Sequence, residues 1–139
     1  MSDVPEGAVL DWSFVDLPPS ANKLLRMHWT DRRILNNLWT MLVRAQINES
    51  PIEPVFNREH PVTILVIRSA CQMLDWDNFA ACLKPVLDGM QKNNLLQDDT
   101  PYTIIKLELQ QVRVQHKRQQ ALRILFYTAE PREGKGKRQ

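Results

Sequence analysis

The run Val62–Ala70 (VTILVIRSA) constrains this chain more than any other segment. It is short, apolar and rich in β-branched side chains, the pattern of a strand buried on both faces. The fold therefore has to be built around a sheet, and the rest of the chain can be read as what joins and covers that strand. Val9 to Leu17, with Trp12, Phe14 and Val15, is a second β-like run, ending at Pro18-Pro19 because a double proline cannot continue a ladder. Residues 18–22 (Pro-Pro-Ser-Ala-Asn) then read as a loop.

Thr30 is placed to cap a helix that starts near Asp31, with Asp31 in its first turn. Ile34, Leu35, Leu38, Met41, Leu42 and Ala45 recur at helical spacing and give an apolar stripe that must pack on something. Ser50-Pro51 closes the helix, and residues 51–60 read as an irregular connection. After the buried strand, a helix from Asp77 or Asn78 buries Phe79, Leu83, Val86, Leu87 and Met90, with a kink expected at Pro85. Asn93-Asn94 ends it. Ile104 to Val114 alternates before slipping near Gln111, and Gln120 to Thr128 alternates again. The polar turn His116 to Gln119 between them predicts a hairpin. The predicted order is β-α-β-α-β-β: one α/β (α+β) domain over residues 1–139, a mixed sheet with two main helices packed on it. Residues 1–7 and 131–139 read as flexible tails.

Composition excludes the competing classes. At 139 residues, 43% hydrophobic and 24% charged, the chain has ordinary globular usage for one domain. No run approaches the roughly 18 apolar residues of a membrane span. The acidic, Pro-containing N-terminus has neither the basic nor the apolar region of a signal peptide, so a cytoplasmic protein without a membrane partner is expected. Cys71 and Cys82 lie in apolar surroundings and read as buried, reduced thiols. Net charge is only +2, but acidic residues gather near the N-terminus and at 75–99, while the chain from Lys106 onward is mainly basic. A basic surface suits a phosphate backbone; a solvated sheet edge and tail would carry the same charges.

Asp75-Trp76-Asp77-Asn78 falls where the buried strand gives way to a helix, and Asp98-Asp99 lies in the turn after that helix. On an extended segment Asp75 and Asp77 point the same way. Carboxylates brought together repel unless a cation shares them. Mg²⁺ accepts such oxygens, keeps several waters and bridges to phosphate. Lys84, about two turns after Asp77, returns to nearly the same helix face, and Asp88 joins it there. Lys84 is then placed to hold a phosphate oxygen. The residue types leave other readings open: Asp at a helix start is often only a cap, and Lys84 with Asp88 is equally an ordinary surface ion pair.

The combined run DWDN-x5-K-x3-D-x9-DD (Asp75 to Asp99), with the PPSxN segment at residues 18–22, resembles the RusA family of Holliday junction resolvases. The resemblance extends from Pro18 to the end of the final strands. It implies a small homodimeric endonuclease of DNA recombination and repair, which binds four-way DNA junctions and cuts them symmetrically with Mg²⁺ (Mn²⁺ as a substitute) and no organic cofactor. It further implies Asp75, Asp77 and Asp99 as metal ligands and Lys84 as a fourth catalytic residue, with Asp98 the alternative to Asp99 if the turn rotates by one residue. Asn22, Lys23, Arg26, Lys117 and Arg118 are the candidate DNA contacts. From Asp77 to Lys84 the chain is three residues longer than in the shortest members, and Gln72-Met73-Leu74 replaces the basic residues expected before Asp75. The alternatives are a branched-DNA-binding protein of the same fold without turnover, and a structural or regulatory protein with an ion-binding acidic cluster.

Overall fold

The apolar run takes the position its composition demands. In the computed structural model, which describes residues 6–50 and 55–132, strand β2 (Val62–Ala70) is paired along both edges. The four-stranded mixed sheet has the order β1-β4-β2-β3, with β1 at Leu10–Phe14, β3 at Ile104–Arg113 and β4 at Ala121–Thr128. β3 runs parallel to β2, while β4 is antiparallel to both β2 and β1. This corrects the expected hairpin, since β2 lies between β3 and β4. The most apolar strand has two edges to satisfy, and the half-polar β3 takes the outside. The 3₁₀ turn Lys117–Gln119 carries the chain across the end of β2. That crossing spans two strand spacings, about 9.6 Å, more than a tight hairpin turn covers.

Four helices join the strands: α1 (Ala21–Leu25), α2 (Trp29–Glu49), α3 (Trp76–Cys82) and α4 (Lys84–Lys92). Alternate strand residues Leu10, Trp12, Phe14, Ile64, Val66, Leu122, Ile124 and Phe126 share one buried core with the helices. Trp39, Val43 and Ile47 enter it from α2, and Phe79, Cys82, Leu83, Val86 and Met90 from the region of α3 and α4. Edge-to-face rings cross the layers, Phe14 to Trp39 at 5.2 Å and Trp12 to Phe126 at 4.8 Å. On the opposite sheet face, Leu65 and Leu125 are buried side by side in register. Nearby, Arg123 forks onto Asp11, Nε to Oδ1 at 2.9 Å and Nη2 to Oδ2 at 2.7 Å. No helix of the described residues is long and apolar enough to cross a membrane.

Helix boundaries differ from expectation for local reasons. The 18–22 segment is not all loop: the Ser20 hydroxyl accepts from Lys23 N and starts α1. α2 begins at Trp29, two residues before Asp31, because the His28 ring, not Thr30, caps it; Thr30 N–H donates to His28 Nδ1 at 3.2 Å. α2 turns only part of its apolar stripe inward. Trp39, Val43 and Ile47 are buried and Leu35 and Leu42 partly so, but Ile34, Leu38, Met41 and Ala45 are exposed. The helix after β2 is two helices, separated at Leu83. Pro85 therefore starts a helix instead of kinking one, at a position where the missing N–H has no helical acceptor to lose. α4 and α2 pack closely at Gly89, where a Cβ would stand 3.1 Å from the Trp39 carbonyl oxygen. Asn93 Nδ2 reinforces the contact by donating to Thr40 O and Gly89 O, both at 2.9 Å. Residues 1–5, 51–54 and 133–139, including most of both expected tails and the start of the 51–60 connection, lie outside the described residues.

Candidate functional site

The site is built at the C-terminal end of β2. Along β2 and β3 the face turned to the core changes from apolar to polar, Ile64 and Val66 giving way to Arg68, and Leu107 and Leu109 to Gln111. Arg68 and Gln111 are opposite each other in register, and both hold the segment that leads into Asp75. Arg68 Nη1 donates to Gln72 O at 2.9 Å. The Gln111 amide makes a two-way clamp on Leu74: Leu74 N–H donates to Gln111 Oε1 at 2.9 Å, and Gln111 Nε2 donates to Leu74 O at 2.8 Å. Arg68 is buried, its Nε has no hydrogen-bond partner among the described residues, and desolvation lowers its pKa.

Asp75 is the N-cap of α3, and its Oδ1 accepts from Asn78 N at 3.0 Å. Asp77 follows in the first turn of the helix. Both carboxylates are exposed. They do not lie two apart on an extended segment, because helix begins at Trp76; one is a cap and the other a helical side chain. Trp76 between them is 57% exposed, with its ring 6.3 Å from Phe79. The Asn78 side chain reaches back to α1, its Oδ1 accepting from Ala21 N at 2.8 Å. α1 therefore sits against α3, with Asn22 and Lys23 exposed on it and Arg26 at its C-cap.

Lys117 and Arg118 are exposed on the 3₁₀ turn at the same end of β2. That turn is held to the strand end by Cys71 N–H donating to Gln120 Oε1 at 3.1 Å. Three other basic residues of the C-terminal stretch are engaged elsewhere. Arg123 forks onto Asp11, Lys106 pairs with Glu108 at 3.2 Å, and Arg132 donates to Pro101 O and Ile105 O.

Lys84 opens α4, so the break at Leu83 removes the continuous helical phase expected from Asp77. Its Nζ lies 3.2 Å from Asp88 Oδ1, an i,i+4 pair in which Lys84 is exposed and Asp88 half-buried. Beyond α4, Asn94 has φ 62°, the left-handed conformation that commonly ends a helix. The next residues are pinned by Phe56 N–H donating to Leu95 O at 2.7 Å and Gln97 N–H donating to Phe56 O at 2.9 Å. In the Asp98-Asp99 pair the two carboxylates differ. Asp98 Oδ1 accepts from Thr100 N at 3.0 Å and Thr100 Oγ1 at 2.7 Å. Against the upward push of desolvation, those bonds and the Arg58 charge hold its pKa below the usual range. Asp99 is exposed. Asp98 is thus part of its own turn, which leaves Asp99 as the carboxylate facing outward.

Among the described residues no group of three or more His, Cys, Asp or Glu side chains is gathered closely enough to hold a metal ion. A three-aspartate cage is therefore not assembled in this conformation. Mg²⁺ does not require one, since it is commonly held by one or two carboxylates, with waters and substrate phosphate completing the shell. No family model matches the chain, and no curated protein matches it.

Arg68 and Gln111 are the site-building residues that the sequence reading missed. The slip in alternation at Gln111 was their signal, because a polar side chain on the core side of a strand needs a buried partner. Trp12 and Trp39 are buried, but Trp29 is 63% exposed, and the Arg33 guanidinium lies over its ring at 5.3 Å.

Proposed function

We propose that this protein is a metal-dependent endonuclease of the RusA type that cuts branched DNA, with the four-way junction as its substrate. The observation that carries the reading is the Ala21–Asn78 hydrogen bond, which joins segments 57 residues apart. These are the two segments on which the resemblance rests, the PPSxN run and the DWDN run. Their union sets exposed carboxylates beside a helix carrying Asn22, Lys23 and Arg26. An anionic backbone and a divalent cation are the ligands that such a neighbourhood of opposite charges can take together.

Asp75, through the oxygen not used as a cap, and Asp77 would hold Mg²⁺ or Mn²⁺, which would polarise the scissile phosphate and lower the pKa of a bound water. Asp99 is the third carboxylate of the proposed set. Asn22, Lys23 and Arg26 on one side and Lys117 and Arg118 on the other hold backbone phosphates and release counterions as the DNA arrives. Lys84 reaches a phosphate by exchanging its bond to Asp88, which costs little because a pair at the surface contributes about 0–1 kcal/mol. Arg68 and Gln111 act as positioning residues, fixing the backbone that precedes Asp75. A four-way junction presents two equivalent strands, so the reading calls for two copies of the chain.

The Lys84–Asp88 pair and the lack of a three-carboxylate group among the described residues favour a second reading: a junction-binding protein without turnover. Gel retardation and cleavage of one labelled four-way junction, with Mg²⁺ or with EDTA, separate the two. Retardation in EDTA and paired nicks in Mg²⁺ support the nuclease. Retardation without nicks in either condition supports the second reading, and no retardation contradicts both.

A further inference from the structure

The face of α2 turned away from the core carries an ordered apolar seam. Ile34 is 62% exposed, Leu38 43% and Met41 68%, and Ala45 is exposed as well. Their spacing alternates four, three and four residues, and Asp31 and Asn48 continue it by three at either end. That is the spacing of a helix–helix seam, in which alternate steps of three and four keep one stripe facing a partner helix. A solvated helix face has no reason to keep that register over most of its length.

We propose that α2 is a self-association surface, on which a second copy of the chain lays its own α2 antiparallel about a two-fold axis between Leu38 and Met41. The order of side chains along the seam selects this occupant. Reversing the helix about that axis sets Leu38 against Met41, Ile34 against Ala45, and Asp31 against Asn48. The middle layers pair two long side chains, the next pair a large one with a small one, and the ends pair a carboxylate with an amide. Asn48 Oδ1 already accepts from Arg44 Nε at 3.1 Å, so its amide N–H groups are the side turned to a carboxylate. A parallel copy would instead set Asp31 against Asp31 and leave Ala45 against Ala45, with like charges at one end and a gap at the other. An isologous contact of the antiparallel kind also closes at two copies.

This assignment deepens the nuclease reading by naming the surface that supplies its second copy, and its test reads mass, not cleavage. Sedimentation velocity on the full chain over a dilution series should give a dimer for wild type and a monomer for Leu38→Lys and for Met41→Glu, each tested alone. Mixing the two variants should restore a dimer of one chain of each kind, because the introduced lysine of one chain then faces the introduced glutamate of the other. Both positions are exposed, so cooperative thermal unfolding should persist. If either variant fails that check, Ile34→Lys with Ala45→Glu tests the next layer in the same way. A wild-type monomer at every concentration, or a dimer that survives Leu38→Lys, overturns the surface. A mixture that stays monomeric overturns the antiparallel register. Loss of cleavage with the dimer intact would count against the nuclease reading alone.

Discussion

Gln111→Met removes the clamp on Leu74 while keeping the length of the side chain. The amide makes two hydrogen bonds to one backbone unit, at 2.9 and 2.8 Å. Each is worth about 0.5–1.5 kcal/mol net, so the pair amounts to roughly 1–3 kcal/mol. Methionine recovers part of this through apolar contact beside Leu109, and the expected loss is about 1–2 kcal/mol. For a domain of this size that corresponds to a fall of roughly 3–8 °C in Tm. Urea unfolding should show a lower midpoint with an unchanged slope, since the surface exposed on unfolding is the same. The Leu74 amide should exchange with solvent about tenfold faster for each 1.4 kcal/mol lost locally. If Gln111→Met unfolds within about 0.5 kcal/mol of wild type and Leu74 exchanges no faster, the clamp does not hold the motif.

Asn78→Ala should leave the α3 cap intact, since Asp75 accepts from the Asn78 backbone, but free α1; amide exchange at Leu24 should rise about fivefold for a lost bond of about 1 kcal/mol, and Asn78→Asp, which keeps an acceptor, should not show it. Gly89→Ala gains roughly 1 kcal/mol of helix propensity but forces a methyl against the Trp39 carbonyl, so urea unfolding should report a net loss of about 1 kcal/mol; a stabilised variant would mean that α2 and α4 separate easily. Burial pushes the Cys82 thiol up to about 11. The folded state therefore favours the neutral thiol, and stability should fall as pH rises above an ordinary thiol pKa of about 8.5. In Cys82→Ala that alkaline slope, measured by urea midpoint against pH, should shrink.

The central strand was legible because burial on both faces leaves a composition that no exposed strand needs. Pairing order was less so. Ile104 to Val114 and Gln120 to Thr128 are adjacent in sequence and each alternates, yet the demand of Val62–Ala70 for two neighbours outweighs that proximity. The α2 stripe was legible as apolar, but its spacing did not say which part meets the core: Trp39, Val43 and Ile47 are buried, while Ile34, Leu38 and Met41 are exposed. Pro85 marked a discontinuity, and only the fold distinguishes a kink from a new helix start. At the site, the carboxylates and basic residues could be named from their types, and the turn bonds of Asp98 leave Asp99 as the outward carboxylate. Among the supports, the slip at Gln111 was a signal, but the partners could not be named, because Arg68 to Gln72, Gln111 to Leu74 and Asn78 to Ala21 are contacts set by the path of the chain.

The most direct measurement is the position of nicks on each strand of a labelled four-way junction in Mg²⁺, for wild type beside Asp77→Asn and Lys23→Gln. If the protein is a junction nuclease, wild type gives paired nicks at symmetry-related positions, Asp77→Asn gives none despite retained junction binding, and Lys23→Gln binds more weakly with unchanged nick positions. An intact junction after incubation with wild-type protein in Mg²⁺ would contradict the nuclease reading, and nicks that persist in Asp77→Asn would contradict its site.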